Sequence, residues 1–252
     1  MISAIVFDLD GTLVQTEKLK AFSYGVAAQR LRGLAEPDPQ AIEAYREIVG
    51  AARDVASKHI LDSLGLETET RPLLAEYGVA EPWEVLTAMR TKIYDEIVAD
   101  PQVIRDNQWP HTVGLLRIAK DTHCRTALAT MSYCKEALHI LRVLDLEQAL
   151  DVILTREDVK QAKPDPEIYL LAARKLGVEP QDCLVLEDSP NGVRAAVAAG
   201  ANVVAVATPF TIAGLHSSQA SQVLDHAWVV HDPEKLLDVV KERIAEHDRT
   251  AH

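Results

Sequence analysis

Met1-Ile-Ser-Ala-Ile-Val-Phe7-Asp8-Leu9-Asp10-Gly11-Thr12 opens the chain. Ile2 to Phe7 are mostly branched or aromatic and show no polar alternation, the pattern of a strand buried on both faces of a parallel sheet. Asp8 then falls at the strand's carboxyl end, the edge where open α/β sheets hold their ligands. Asp10 follows in the loop, and Gly11 permits a sharp turn. Two anions at the end of a buried strand repel each other unless a cation or a proton sits between them. Capping or a solvated loop would account for a lone Asp-x-Asp. An apolar strand running into Asp-Leu-Asp-Gly-Thr points to chemistry.

Further along, strands alternate with helices. Thr126 to Thr130 reads as a strand and Lys135 to Leu144 as the helix after it. Val152 to Thr155 is a short strand, and Asp165 to Leu176 a helix with Pro166 in its first turn and Gly177 at its close. Cys183 to Glu187 is a strand, followed by an Ala-rich helix, Asn191 to Ala199. Val203 to Val206, Ala227 to Val230 and the helix Pro233 to Ala245 complete the pattern. This rhythm predicts an α/β fold: a doubly wound parallel sheet with helices on both faces. The Ser-rich stretch Leu215 to Gln222 reads as a surface loop.

Residues 16–100 break the rhythm. They are rich in Ala, Glu, Arg and Leu at helical spacing, with no convincing strand. Leu61, Leu64 and Leu66, and Val85, Leu86, Met89, Ile93 and Ile97, read as the buried faces of packed helices. The expected organisation is a core of residues 1–15 and 101–252, with residues 16–100 inserted as a small helical domain. The crossings fall near Leu13–Thr16 and Ala99–Trp109.

Three further elements join the first. Leu184-Val-Leu-Glu187-Asp188-Ser189-Pro190-Asn191-Gly192 is a second apolar strand ending in two carboxylates. Capping would explain Ser189, and Asp188 taken singly, but two strands of one parallel sheet ending in acid pairs place four carboxylates on one edge. Oxygen donors of this kind suit a hard cation such as Mg²⁺ together with phosphate. Lys163-Pro164-Asp165-Pro166 frames a lysine whose charge balances those carboxylates and can take a phosphate oxygen. Thr130 ends its own apolar strand with a hydroxyl beside main-chain N–H groups.

These elements, in this order and spacing, resemble the haloacid dehalogenase-like superfamily, whose members are mostly Mg²⁺-dependent phosphatases and phosphomutases. Gly11 to Glu17, Lys163-Pro-Asp-Pro and Glu187-Asp-Ser-Pro-Asn-Gly192 resemble the branch of beta-phosphoglucomutase and its phosphatase relatives. The resemblance implies a Rossmann-like core with an inserted helical cap. Asp8 is implied as the nucleophile that forms an aspartyl-phosphate, Asp10 as acid and base, and Thr130 and Lys163 as phosphate-binding catalytic residues. Asp8, the Asp10 carbonyl and Asp188 are implied as Mg²⁺ ligands, with Glu187 supporting the metal directly or through water. Leu9, Met131, Arg53 and Arg90 are implied as substrate-binding positions, the last two from the cap. Three positions depart from the branch's pattern: Gln15 in place of an aspartate, Lys20 in place of the mutase histidine, and His111 where relatives carry glycine. The first two, with Thr12, favour a phosphatase over a mutase. A dehalogenase has no use for Asp10, and a phosphonate hydrolase usually carries a small residue there. A non-catalytic phospho-ligand-binding protein would leave the whole constellation unused.

Composition sets the outer limits. The formal charge of −12 over 252 residues repels a nucleic-acid backbone. The first apolar run is too short to span a membrane. Cys124, Cys134 and Cys183 lack metal-site spacing and read as free thiols of a cytoplasmic protein. The expected partner is a small phosphate ester, with no nucleic acid and no membrane, and the expected state is a monomer or weak homodimer.

Overall fold

The computed structural model describes residues 1–122, 124–217 and 222–250. Part of the Ser-rich stretch, residues 218–221, lies outside the described residues. The chain divides into two compact units: Met1–Gln15 with the segment from Ile104 onward, and Thr16–Val103.

The first unit is built on a six-stranded sheet in the order β3-β2-β1-β4-β5-β6. Its strands are β1 (Ala4–Phe7), β2 (Arg125–Ala129), β3 (Val152–Leu154), β4 (Cys183–Glu187), β5 (Asn202–Val206) and β6 (Val229–Val230). Every pairing is parallel. β1, β4 and β5 are buried along their whole length, as their unbroken apolar runs require with helices covering both faces. The last strand is shorter than its sequence implies. Asp225 accepts a hydrogen bond from the Ala227 amide and draws His226–Trp228 into a 3-10 turn.

Strand order reverses between β1 and β4, which lie side by side although far apart in sequence. Such a switch point opens a crevice at the carboxyl ends of the strands. The register pairs Phe7 with Leu128 on one side and Leu186 on the other. Asp8, Ala129–Thr130 and Glu187–Asp188 therefore leave the sheet at the same level.

Just beyond β1 the chain is tied down before it leaves this unit. Gln15 N donates to Asn107 O at 2.7 Å, and Trp109 N donates to Leu13 O at 2.9 Å, so outgoing and returning segments are bonded to each other.

The second unit contains only helical elements among its described residues. The longest are Thr16–Arg32, Pro39–Glu47, Arg53–Leu64 and Pro82–Val98. Glu81 and Glu84 form a reciprocal capping box that starts the last of these. Val85, Leu86, Met89 and Ile93 are buried along one face of it, while Leu64 and Ile97 are only half-buried. The short helix Pro101–Asp106 straddles the second crossing, so the helical unit runs to Val103 rather than to 100.

Candidate active site

The site begins with Gly11. Its φ is +85°, and a Cβ there would lie 2.0 Å from Asp188 Oδ2. No other residue lets the β1 loop turn this closely over the end of β4. The turn brings the Asp8–Asp10 loop against Asp188 at the switch point.

Lys163 links the two strand ends. Its Nζ donates to Asp8 Oδ1 and Glu187 Oε1, both at 2.7 Å, and to Ala129 O at 3.0 Å. The Lys163–Pro164 bond is cis. The helix that follows is Glu167–Leu176, two residues shorter at its start than the sequence implies, because Pro166 occupies the N-cap and Asp165 Oδ1 accepts from Glu167 N.

The two carboxylates of the first motif sit in different company. Burial pushes the Asp8 carboxyl up to about 8, against the pull of Lys163, with Glu187 and Asp10 adding to the rise. Burial alone would lower the Lys163 ammonium, but Asp8 and Glu187 hold it well above its usual range, so it stays charged. Asp10 Oδ2 instead accepts the Ser132 hydroxyl at 2.5 Å and the Thr130 hydroxyl at 3.4 Å. Ser132 N in turn donates to Thr130 Oγ1 at 3.0 Å, which locks the turn after β2.

Glu187 and Asp188 also differ. Glu187 Oε1 accepts from Lys163 and from the Tyr169 hydroxyl, the latter at 3.0 Å. Its Oε2 accepts from Asp188 N, Ser189 N and the Ser189 hydroxyl. Both oxygens of Glu187 are thus engaged by protein donors, which fits support of Lys163 better than direct metal ligation. Gly192 makes this possible, since a Cβ there would lie 1.6 Å from Glu187 Oε1. Ser189 caps the helix Pro190–Ala198 through Gly192 N, so capping falls to it and not to Asp188.

Four buried carboxyl groups and a buried lysine therefore share one strand edge. Among the described residues no group of three or more His, Cys, Asp or Glu side chains forms a ready metal cage. Mg²⁺ does not need one: it keeps several waters and takes one or two carboxylates beside a phosphate. Asp8, Asp188 and the Asp10 carbonyl are an oxygen donor set of that kind.

The remaining expected positions divide. Leu9 is fully buried, which leaves only its main chain for a ligand. Met131 is partly buried against the core. Arg53 opens the helix Arg53–Leu64 and is half-exposed. Arg90, implied as a second substrate-binding position, is held within the helical unit. It is buried, with its guanidinium 5.0 Å from the Tyr24 ring and 5.6 Å from the Tyr94 ring. Lys20 pairs with Glu17 at 3.4 Å, Gln15 is half-buried, and His111 is exposed in the helix Pro110–Asp121.

Two residues of the site went unread in the sequence. Ser132 lies two positions beyond Thr130, and a Thr-x-Ser pair after an apolar strand was its only signal. Tyr169 lies on the buried face of a helix, where an aromatic reads as core.

A family model described as haloacid dehalogenase-like hydrolase matches residues 2–200. Hexitol phosphatase A of Escherichia coli (strain K12) is 51% identical over 205 residues, covering 81% of this chain and 82% of the relative. A phosphorylated carbohydrates phosphatase of Thermotoga maritima is 32% identical over 244 residues, covering 96% of this chain and 99% of the relative. The crystal structure of a beta-phosphoglucomutase from Clostridium difficile has the same fold, with a TM-score of 0.69 over 98% of this chain and 99% of the other at 23% identity.

Proposed function

The chain belongs to the haloacid dehalogenase-like hydrolases, and from that premise we propose that it hydrolyses the phosphate monoester of a small sugar or sugar alcohol through an aspartyl-phosphate on Asp8. The observation that carries this reading is the different company of Asp8 and Asp10. One is ion-paired to a buried ammonium, and the other is held by two hydroxyls. Carboxylates placed in different environments take different roles. A phosphate ester needs both a nucleophile and an acid.

In this reading, Asp8 Oδ attacks phosphorus in line with the ester oxygen. The P–O ester bond breaks as the Asp8–phosphorus bond forms, and Asp10 gives its proton to the departing oxygen. Asp10 then takes a proton from water as that water attacks phosphorus, which frees phosphate and restores the Asp8 carboxylate. Lys163 holds the phosphoryl oxygens, joined by the Thr130 hydroxyl when it turns from its long 3.4 Å contact with Asp10 to the bound ester. Mg²⁺, held by Asp8, Asp188 and the Asp10 carbonyl, supplies charge neutralisation at those oxygens when bound. Glu187 anchors Lys163. The helical unit serves as the cap, with Arg53 on the remote end of the substrate.

Mutase activity uses the same parts but returns the phosphoryl group to a second sugar hydroxyl. The phosphatase relatives, and Lys20 engaged by Glu17, favour hydrolysis. Among the described residues no helix is long and apolar enough to cross a membrane. The three cysteines are free. In this reading the protein is cytoplasmic, a monomer or weak homodimer, and acts on free metabolites.

The test is phosphate release, with and without Mg²⁺, from a panel of hexose, hexitol and aryl phosphates. Mg²⁺-dependent release that favours the sugar or hexitol esters supports the reading. No release from any ester overturns it.

A further inference from the structure

Tyr169 is 2% exposed and lies in the helix Glu167–Leu176, just past the Lys163–Pro166 turn. Its hydroxyl donates to Glu187 Oε1 at 3.0 Å. The same oxygen accepts from Lys163 Nζ, and Nζ lies 4.8 Å from the centre of the Tyr169 ring. Lysine, carboxylate and phenol therefore close a triangle in which each touches the other two.

Each side of the triangle has a physical consequence. Lysine is a point charge on a flexible stem, and its direction must be imposed from outside. The ring face attracts the ammonium and blocks its retreat from Asp8. The hydroxyl holds Oε1, while the Asp188 and Ser189 donors hold Oε2. Glu187 is thereby fixed at both ends and presents one oxygen to Lys163. Phenylalanine would fill the core equally well, and a buried hydroxyl without an acceptor is costly. Here the hydroxyl finds its acceptor in the carboxylate that anchors the active-site lysine.

We propose that Tyr169 is a positioning residue for the phosphoryl-transfer site: hydroxyl and ring together set Glu187 and, through it, aim Lys163 at Asp8. This rests on the phosphatase reading above. Tyr169 touches no reacting atom, so its effect travels through Glu187.

The experiment compares wild type, Tyr169→Phe, Glu187→Gln and the double variant, measuring kcat, KM, melting temperature and inhibition by inorganic vanadate. Loss of one hydrogen bond to a charged group predicts that Tyr169→Phe lowers kcat about tenfold and weakens vanadate binding by a similar factor. KM for the ester should stay within about twofold, the signature of an interaction realised mainly in the transition state. In the Glu187→Gln background the same substitution should cost less than about twofold, because the two residues act as one unit. Wild-type kcat and vanadate affinity in a folded Tyr169→Phe overturn the proposal. So does an equal loss in both backgrounds, which places the effect outside Glu187. A lowered melting temperature with kcat intact assigns Tyr169 to packing alone and also overturns it. If Tyr169→Phe does not fold, Tyr169→Trp, which keeps a ring beside Lys163 and moves the polar group, is measured by the same criteria. A wild type that releases no phosphate from any ester overturns the phosphatase reading instead.

Discussion

Ser132 donates its hydroxyl to Asp10 Oδ2 across 2.5 Å, although 122 positions separate the two in the chain. Both residues are buried. The bond joins the turn after β2 to the loop after β1, and the two strands are neighbours in the sheet. It fixes the orientation of the carboxyl group that, in the proposed mechanism, first gives and then takes a proton. Thr130, bonded to the same oxygen and to the Ser132 amide, reinforces that orientation.

Asp10→Asn should therefore lose activity most severely on alkyl phosphates, whose leaving oxygens need a proton, and less on aryl phosphates. Proton transfer by a positioned group contributes roughly a hundred- to ten-thousandfold. Ser132→Ala should reproduce the same selectivity at lower amplitude, about tenfold on alkyl esters. Steady-state kinetics on one alkyl and one aryl ester check this. Equal losses on both classes would assign Asp10 to structure or metal alone.

Much of this site could be read before the structure. Asp8 and Asp10, and Glu187 and Asp188, each follow an unbroken apolar strand, and parallel strands must end on one edge. Lys163 was marked by its flanking prolines. Ser132 and Tyr169 escaped because their meaning lies in partners more than a motif away. A serine after a strand and a tyrosine on a buried helix face carry no local signal of a carboxylate above them. The burial of Arg90 went unread for the same reason. Tyr94, one helical turn on, was visible beside it, but Tyr24, from another helix, completes the stack and buries the charge.

The two cap arginines should now behave differently. Arg53→Ala should lower kcat/KM for a sugar phosphate about tenfold and leave a small aryl phosphate unchanged, as loss of one charge-assisted contact predicts. Arg90→Ala removes a buried cation–π stack and its packing, so it should lower the melting temperature by a few degrees and weaken both substrates. Kinetics on two substrates with a melting curve separate the cases. A stable Arg90→Ala with a selective sugar-phosphate defect would return Arg90 to substrate binding.

The Asp8 environment has a consequence for stability without metal. Its folded carboxyl sits near 8, mainly from burial, against an ordinary value of 3.8. The folded state thus binds the proton more tightly than the unfolded chain. The associated stability is complete below pH 4 and is lost as pH rises through about 8. One proton allows a slope of at most about 1.4 kcal/mol per pH unit. In chelator, the melting temperature of wild type relative to Asp8→Asn should fall between pH 5 and pH 9, and Mg²⁺ should cancel the fall. A flat or rising difference would contradict this picture of Asp8.

Acid-quenched single turnover with mass spectrometry reads out the proposed phosphoryl group on Asp8 itself. Wild type mixed with its best sugar or hexitol phosphate and Mg²⁺ should yield protein bearing one phosphoryl group. That group should be labile to hydroxylamine, map to Asp8, and be absent from Asp8→Asn. The same variant should lose nearly all steady-state phosphate release while keeping its fold, since a carboxamide cannot serve as the nucleophile. Phosphate release by Asp8→Asn at near the wild-type rate would rule out the aspartyl-phosphate on Asp8.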